Sequence, residues 1–161
     1  MTETMIRRAE TADAERLTEL IHACSAYRGE YAPMIDGYRV TPDYLARHEV
    51  FLASDPDTGG LLGFYALIRE PAELDLMFVA DEAQGRGTGR LLIGHLLELA
   101  RRIGITTVKV VSNPPAERFY LRVGAERVGV FPAAGRITWD RPELRFTVQD
   151  SGPADRARPT G

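Results

Sequence analysis

The 161-residue chain has one cysteine, three histidines and no long uninterrupted apolar run. The single cysteine, Cys24, excludes an internal disulfide and any multi-cysteine metal site. It lies on the apolar face of a predicted helix, which indicates a buried and inert thiol. The histidines, His22, His48 and His95, are far apart and lack ligand spacing, so we expect no metal site. No run is long enough to span a bilayer and residues 1–13 lack the apolar core of a signal peptide, so we expect a cytoplasmic protein without membrane contact.

The chain also lacks a basic excess: it has 20 basic and 23 acidic residues, a formal net charge of -3 and a pI near 5.7. A nucleic-acid-binding surface normally needs a basic excess, so the charge argues against a nucleic-acid partner. The length and the hydrophobic content of 44% suit one globular domain with a real core. We expect that domain to cover residues 1–148. Residues 149–161 are polar and lack an apolar anchor, which predicts a disordered tail.

The spacing of apolar residues predicts alternating strands and helices through the domain. The predicted strands cover residues 4–9, 50–54, 61–68, 73–79, 106–112, 126–131 and 144–148. The predicted helices run from a cap at Thr11 or Asp13 to about residue 27, and over residues 41–48, 90–103 and 113–121, with an irregular loop at 28–40. Hairpins on one side and a strand–helix–strand crossover in the middle imply an α/β (α+β mixed) fold. Its mixed, mostly antiparallel sheet has about six to seven strands flanked by about four helices.

A glycine-rich turn lies between the central strand, residues 73–79, and the longest helix. It reads Gln-Gly-Arg-Gly-Thr-Gly over residues 84–89. Three glycines in five residues at a helix N-terminus leave backbone N–H groups uncovered by side chains. Such a turn is suited to bind an anion, above all a phosphate group.

Two common phosphate motifs do not fit this turn. A P-loop ends in Gly-Lys-Ser or Gly-Lys-Thr, and this turn contains no lysine. The dinucleotide fingerprint spaces its glycines by one residue and then by two, whereas Gly85, Gly87 and Gly89 are spaced by one and one. The turn also lies in the middle of the chain instead of opening the fold.

The pattern Gln-x-x-Gly-x-Gly, formed by Gln84, Gly87 and Gly89, resembles the acyl-CoA pyrophosphate loop of the GNAT superfamily of N-acetyltransferases. A second block, over residues 113–125, is similar to the Asn…Ala…Phe-Tyr…Gly segment of that superfamily. The resemblance includes the order of elements and covers roughly residues 6–148. One departure is Ala125, which follows Gly124 where the family usually has Phe. That departure changes a packing residue.

The resemblance implies acetyl-CoA as co-substrate. Backbone amides of residues 85–90 would hold the pyrophosphate, and Arg86 and Arg90 would add countercharge. Glycine at positions 87 and 89 would let phosphate oxygens approach the backbone closely. The expected cofactor-binding residues are Phe78, Val79, Gln84, Gly85, Arg86, Gly87, Thr88, Gly89, Arg90, Asn113, Ala116 and Tyr120.

In the family, the pantetheine arm pairs with the central strand like an added strand. Main-chain groups of Phe78 and Val79 are therefore expected to bind it. Asn113 resembles a residue that contacts this arm, and it also suits a helix cap; both roles are compatible.

Acetyl transfer to an amine needs one proton removed from the ammonium and one given to the departing thiolate. Tyr120 resembles the family's tyrosine near the cofactor sulfur, so we expect it to be the acid rather than only a packed ring. Glu73 is the first choice for the base and Asp75 the second, directly or through water, with solvent as the alternative. A backbone N–H near Val79 is expected to stabilise the tetrahedral oxyanion.

The acceptor pocket is less well defined by the sequence. In the family the early irregular segment forms part of it, which makes Tyr27, Arg28, Tyr31 and Tyr38 candidate substrate-binding residues. Arg136, in the late loop, is a further candidate that would contact an acidic group on the acceptor.

Two functions remain open at this stage. The first is an enzyme that transfers an acetyl group to a primary amine of a small molecule or peptide, by direct attack in a ternary complex. A covalent relay is not expected, because Cys24 is predicted to be buried and no Ser-His-Asp pattern is present. The second is a non-catalytic acyl-CoA-binding sensor. The identity of the acceptor, the acyl-chain preference and the oligomeric state stay open, a homodimer included.

Overall fold

The computed structural model describes residues 4–148, which form seven strands and four α-helices. The strands are β1 (Met5–Arg8), β2 (Glu49–Ser54), β3 (Leu61–Arg69), β4 (Ala72–Val79), β5 (Thr107–Val111), β6 (Glu126–Phe131) and β7 (Arg141–Thr147). The helices are α1 (Ala14–Ala23), α2 (Pro42–Arg47), α3 (Thr88–Arg102) and α4 (Glu117–Arg122). The order of elements is the predicted one. The tail predicted at 149–161 lies outside the described residues.

All seven strands join one sheet in the order β1-β2-β3-β4-β5-β7-β6. Every neighbouring pair is antiparallel except β4 and β5, which are parallel because α3 carries the chain back between them. The predicted fold class, a mixed and mostly antiparallel sheet flanked by helices, is confirmed.

The core lies between the sheet and the apolar faces of α1 and α3. Leu17 and Ile21 on α1, and Leu92 and Leu96 on α3, are completely buried. Between residues 62 and 67, β3 is buried on both faces, because helices cover the sheet on both sides of its centre. This packing fixes β4 and the start of α3 relative to each other, and the candidate site lies where these two elements meet.

The start and end of α1 differ from the prediction. A 3₁₀ turn (Thr11–Asp13) precedes the helix, and neither Thr11 nor Asp13 caps α1 through its side chain. The Asp13 carboxylate instead accepts the Glu10 N–H at 2.7 Å and pairs with Arg7 at 3.0 Å. The helix ends at Ala23 and not near residue 27, because the Cys24 backbone is extended.

The segment predicted as an irregular loop contains a 3₁₀ helix (Gly29–Met34). The second helix is as predicted, because Thr41 caps it by accepting the Tyr44 N–H at 3.1 Å. No helix among residues 4–148 is both long and apolar enough to cross a membrane.

The parallel junction between β4 and β5 is a single residue pair, Glu73 with Lys109. Within the described residues, β4 makes no further pair with β5 between Glu73 and its last residue, Val79. On the other side of β4, the register with β3 shifts so that Ala66 pairs with Leu76 and Leu67 pairs with Leu74. Asp75 is therefore an extra residue in a bulge, and β4 has an open edge beyond Glu73.

Candidate functional site

Two adjoining cavities share part of their wall at β4. The larger has a volume of about 560 Å³ and extends along the loop at residues 84–90. The smaller has a volume of about 290 Å³ and contains Glu73 and Asp75 in its wall. The residues common to both walls are Tyr27, Met77, Phe78, Ala116 and Tyr120. A group held in one cavity would therefore meet a group held in the other beside Tyr120.

The loop before α3 presents backbone donors to the larger cavity. Gly87 occupies the N-cap position with a φ of 87°, a left-handed conformation that favours glycine. Within the part of the chain that the structure describes, the N–H groups of Gly87, Thr88, Gly89 and Arg90 donate no hydrogen bond. These uncommitted donors lie at the positive end of a 15-residue helix, an arrangement that is suited to bind an anion.

Gly89 has a packing role that the loop pattern did not indicate. A Cβ atom at this position would lie 3.0 Å from Cζ of Phe119, a side chain of α4. Glycine thus lets α4 approach the first turn of α3. Through Gly89 and Phe119, the glycine-rich turn is in contact with the block at residues 113–125.

The polar side chains of the loop do not all face the larger cavity. Gln84 Nε2 donates to the Val79 carbonyl at 3.0 Å, so it ties the loop to the end of β4. Arg86 Nη1 donates to the Glu82 carbonyl at 3.2 Å, and Arg86 is not part of either cavity wall. Thr88, expected to bind the cofactor, is buried and outside both walls.

Two arginines do line the larger cavity, Arg90 on α3 and Arg122 on α4. Arg122 was missed, although it lies two residues after Tyr120 in the block that resembles the family. Its place on a helix that borders the loop could have been inferred from that spacing.

The open edge of β4 offers main-chain groups of alternate residues. The Ala80 N–H donates to the Leu62 carbonyl at 2.8 Å. Because an antiparallel ladder alternates, the main-chain groups of Phe78 face β3, and those of Met77 and Val79 face the open edge. The expectation that Phe78 offers its main chain to a ligand is therefore not met, although its side chain lines both cavities.

Cys24 lies beside the end of this edge. Its thiol donates to the Val79 carbonyl at 3.5 Å, and the side chain is buried as predicted. Burial, and after it the charge of Asp81, raises the pKa of the thiol to about 11. At neutral pH the group is therefore a protonated thiol and a poor nucleophile.

Tyr120 projects from α4 to the boundary of the two cavities and is only 7% exposed. Among residues 4–148 its hydroxyl makes no hydrogen bond. Burial raises the pKa of this phenol well above its ordinary value, and the nearby Tyr27 acts in the same direction. Tyr120 is thus a protonated, uncommitted donor at neutral pH.

Glu73 and Asp75 both border the smaller cavity, but their surroundings differ. Burial raises the pKa of Glu73 above its ordinary value; Lys109 opposes this shift and Asp75 adds to it. The Asp75 carboxylate accepts a hydrogen bond from the Tyr44 hydroxyl at 2.6 Å. Burial therefore favours the protonated form of Glu73, and the Asp75 carboxylate already has a hydrogen-bond donor.

Of the candidate acceptor-binding residues, Tyr27 lines both cavities and Tyr38 lines the smaller. The other three line neither cavity. Arg28 donates to the Ala23 carbonyl at 3.2 Å, Tyr31 packs edge-on against Trp139 at 5.1 Å, and Arg136 donates to the Asp36 carbonyl at 3.4 Å.

Asn113 and Arg141 complete the wall of the smaller cavity. Asn113 does not cap the following 3₁₀ turn; its side-chain oxygen accepts the Trp139 indole N–H at 3.2 Å. Arg141 was missed, because β7 begins three residues before the predicted strand start at 144.

The histidines lie outside both cavity walls. His22 donates to the Tyr38 carbonyl at 2.8 Å, and His95 Nδ1 lies 2.7 Å from the Tyr65 hydroxyl. Among residues 4–148 no group of three or more His, Cys, Asp or Glu side chains is arranged to hold a metal ion.

Comparison with known proteins connects this geometry to a family. Residues 14–125 match the sequence profile of the acetyltransferase (GNAT) family. The peptidyl-lysine N-acetyltransferase YjaB of Salmonella typhimurium is 30% identical over 106 residues, which cover 65% of this chain and 65% of that protein. The chain is thus matched over somewhat less than two thirds of the length of this relative.

Solved structures of such proteins share the fold. A GCN5-related N-acetyltransferase (aminotransferase, class II) from Rhodopseudomonas palustris superposes with a TM-score of 0.76 at 19% identity, over 91% of this chain and 97% of that one. The PaiA N-acetyltransferase of Thermoplasma acidophilum, in complex with coenzyme A, superposes with a TM-score of 0.71 at 17% identity, over 91% and 99%.

Proposed function

Since the chain belongs to the acetyltransferase (GNAT) family, we propose that it transfers an acetyl group from acetyl-CoA to a primary amine by direct attack in a ternary complex. One observation carries this proposal. A cavity beside uncommitted backbone donors and a cavity beside Glu73 share a wall that includes Tyr120. Donor and acceptor would therefore react between an acid and a base.

The larger cavity fits coenzyme A by its chemistry. The four free N–H groups at the start of α3 suit the pyrophosphate, and Arg90 adds a positive charge to the same wall. The open edge of β4 suits the amide groups of the pantetheine arm, which would bind as an added strand. When bound, acetyl-CoA supplies an acetyl group activated as a thioester.

Tyr120 is the acid in this proposal. Burial keeps its phenol protonated at neutral pH, and its hydroxyl has no competing partner among the described residues. It would give its proton to the departing thiolate sulfur. The Val79 N–H, on the open edge of β4, is the donor that we assign to the developing oxyanion.

Glu73 is the base in this proposal, and Asp75 is the second candidate. Because the pKa of Glu73 is raised, it is closer to the pKa of an amine than the pKa of an exposed carboxylate is. The Asp75 carboxylate already accepts a hydrogen bond from Tyr44, which makes it a weaker choice. Direct attack is favoured over a covalent relay, because the thiol of Cys24 is protonated at neutral pH.

An acetylation assay on a broad panel of amines tests the proposed function. The purified protein is incubated with acetyl-CoA and each amine, free CoA is measured, and the N-acetyl product is identified by mass. We expect equal amounts of CoA and product with at least one class of amine. Binding of acetyl-CoA without release of CoA across the whole panel would favour the non-catalytic sensor instead.

A further inference from the structure

The smaller cavity contains a guanidinium group without an anionic partner. Arg141 lines this cavity, yet its Nε atom is buried and makes no hydrogen bond within residues 4–148. Its Nη1 atom lies 3.8 Å from Sδ of Met34, and its Cζ atom lies 5.0 Å from the centre of the Phe131 ring. No carboxylate among the described residues forms an ion pair with it.

Leaving the Nε donor of Arg141 buried without an acceptor costs free energy. A buried donor without an acceptor loses its hydrogen bonds to water and forms no new one, and the free-energy cost is greatest for a charged donor. The contact with Phe131 compensates in part by a cation–π interaction. The flat fork of a guanidinium matches the two oxygens of a carboxylate, so a carboxylate on a ligand is the partner that would satisfy it.

The rest of the cavity offers the opposite charge. Glu73 and Asp75 lie in the same wall as Arg141, and the charge of Arg141 acts on Glu73 although the two form no ion pair. The side chains of Met34 and Ile35 add apolar surface to that wall. The cavity therefore combines a site for an ammonium, a site for a carboxylate and apolar lining.

Building on the function proposed above, we propose that the acceptor is a small amino acid with an uncharged side chain. Its amino group would lie toward Glu73, and its carboxylate would pair with Arg141. A volume of about 290 Å³ suits a molecule of that size. Arg141 lies beyond residues 14–125, which match the family profile, so this pairing is a property of the C-terminal strands of this chain.

Kinetics with matched acceptors test the proposal. For several uncharged amino acids, kcat/KM is compared with that of the corresponding amino acid amide and decarboxylated amine, at equal concentrations of free amine. We expect the wild-type protein to favour the carboxylate by roughly 10- to 100-fold, the range of a charge-assisted pair. Arg141→Gln should abolish this preference, and Arg141→Lys should retain part of it because the charge remains.

A matched control lies on the same strand. Arg145 is exposed and pairs with Glu126 at 2.7 Å, away from both cavity walls. Arg145→Gln should leave the preference for the carboxylate unchanged. Equal rates for amino acids and their amides in the wild-type protein would overturn the proposal while leaving the acetyltransferase function in place.

Binding provides a second readout that does not need turnover. N-acetyl amino acids and N-acetyl amino acid amides are titrated into the CoA-loaded protein by calorimetry. The acids should bind roughly 10- to 100-fold more tightly, and Arg141→Gln should remove the difference. Arg141-dependent binding without acetylation of any amine would support the carboxylate site and contradict the proposed function. A difference that survives Arg141→Gln would refute the site.

Discussion

Tyr120 is the residue on which the proposed chemistry depends most directly. Tyr120→Phe removes the phenol proton and keeps the ring that fills the boundary between the cavities. We expect kcat to fall by about 100-fold or more, because general acid catalysis contributes on that scale. The Kd for acetyl-CoA, measured by calorimetry, should change less than about threefold, since only the hydroxyl is removed. An unchanged kcat would remove Tyr120 from the mechanism.

Glu73 gives the reaction a specific pH dependence. A carboxylate accepts a proton only when ionised, so kcat should fall as the pH drops through the pKa of Glu73. That pKa is raised, so the fall should occur above pH ~4.3, the ordinary value for glutamate. Glu73→Gln should lower kcat by about 100-fold and remove this limb of the profile.

Glu143 provides the matched control for Glu73. Its negative charge helps to raise the pKa of Glu73, but its side chain is not part of either cavity wall. Glu143→Gln should therefore keep activity and move the acidic limb to lower pH. If neither Glu73→Gln nor Glu143→Gln changed the pH profile of kcat, another group would be the base.

Asp13 ties the start of α1 to β1. Its buried carboxylate accepts two hydrogen bonds from Arg7, which lower its pKa below the ordinary value. A lowered folded-state pKa means that the stabilisation is present above pH ~3.9 and is lost as the pH falls through the folded-state pKa. Asp13→Asn should lower the free energy of unfolding by about 1–3 kcal/mol at pH 7, and less under acid conditions.

Urea unfolding at several pH values measures this effect. The control is Asp43→Asn, because Asp43 forms an exposed pair with Arg47 at 2.8 Å. Exposed pairs on a helix contribute about 0.3–0.5 kcal/mol, so this variant should stay close to the wild type. Equal losses in both variants would contradict the role of burial at Asp13.

Single residues differ in how far the sequence could predict their roles. Glu73 and Tyr120 could be found because each belongs to a continuous block with a recognisable pattern. Arg141, which β7 brings to the smaller cavity, and Tyr44, which α2 brings to Asp75, could not, because their segments share no pattern with those blocks. Arg136 was named as a candidate for its place in the late loop, yet it lines neither cavity.

At the level of elements, α3 and its N-cap present two glycine positions with opposite requirements. Gly94 lies in the exposed middle of the helix, and a Cβ there would meet nothing within 4 Å. Gly94→Ala should raise the free energy of unfolding by about 0.5–1 kcal/mol in urea, because alanine loses less entropy in a helix. Gly87 has a left-handed backbone, so Gly87→Ala should lower it by about 1–2 kcal/mol.

These two variants also separate stability from ligand binding. Gly87→Ala should weaken acetyl-CoA binding, because the free N–H groups follow this residue. Gly94→Ala should leave the affinity for acetyl-CoA unchanged. If neither variant changed that affinity, the start of α3 would not be the pyrophosphate site.

The element order could be predicted, whereas two boundaries could not. Cys24, Ser25 and Tyr27 are compatible with a helix, yet the chain turns at Cys24 and the Tyr27 ring packs 5.2 Å from the ring of Phe78. Pro142 argues against a strand, since it has no N–H to donate. It is tolerated in β7, where it pairs with Val130 and its carbonyl accepts the Ser112 N–H at 3.0 Å.

For the whole molecule, bound acetyl-CoA should act as a structural part of the sheet. A ligand present at 100 times its Kd stabilises the folded state by about 2.7 kcal/mol, which raises the melting temperature. Hydrogen exchange should slow most in β4 and β5, where the arm would occupy the open edge, and least in β1 and β2. Uniform slowing across all strands would contradict binding at that edge.

The fold as a whole could be predicted from the sequence because local periodicity and the order of elements agree. The meeting of the two cavities could not, since it depends on how far β4 and β5 separate after one residue pair. The close approach of α4 to α3 at Gly89 and Phe119 is likewise a contact between segments that are distant in the sequence. Sequence patterns carry no direct record of such a distance.

The single pair between Glu73 and Lys109 also bears on how the protein can change over evolutionary time. Strands β1–β4 form one antiparallel unit, and β5–β7 form another, so each unit satisfies most of its own hydrogen bonds. The first unit, with α3, carries Glu73 and the free N–H groups, whereas the second unit, with α4, carries Tyr120 and Arg141. Substitutions in β6, which lies at the far edge of the sheet and lines neither cavity, should therefore disturb the site least. Because the proposed base and acid come from opposite units, the proposed reaction depends on the seam that joins them.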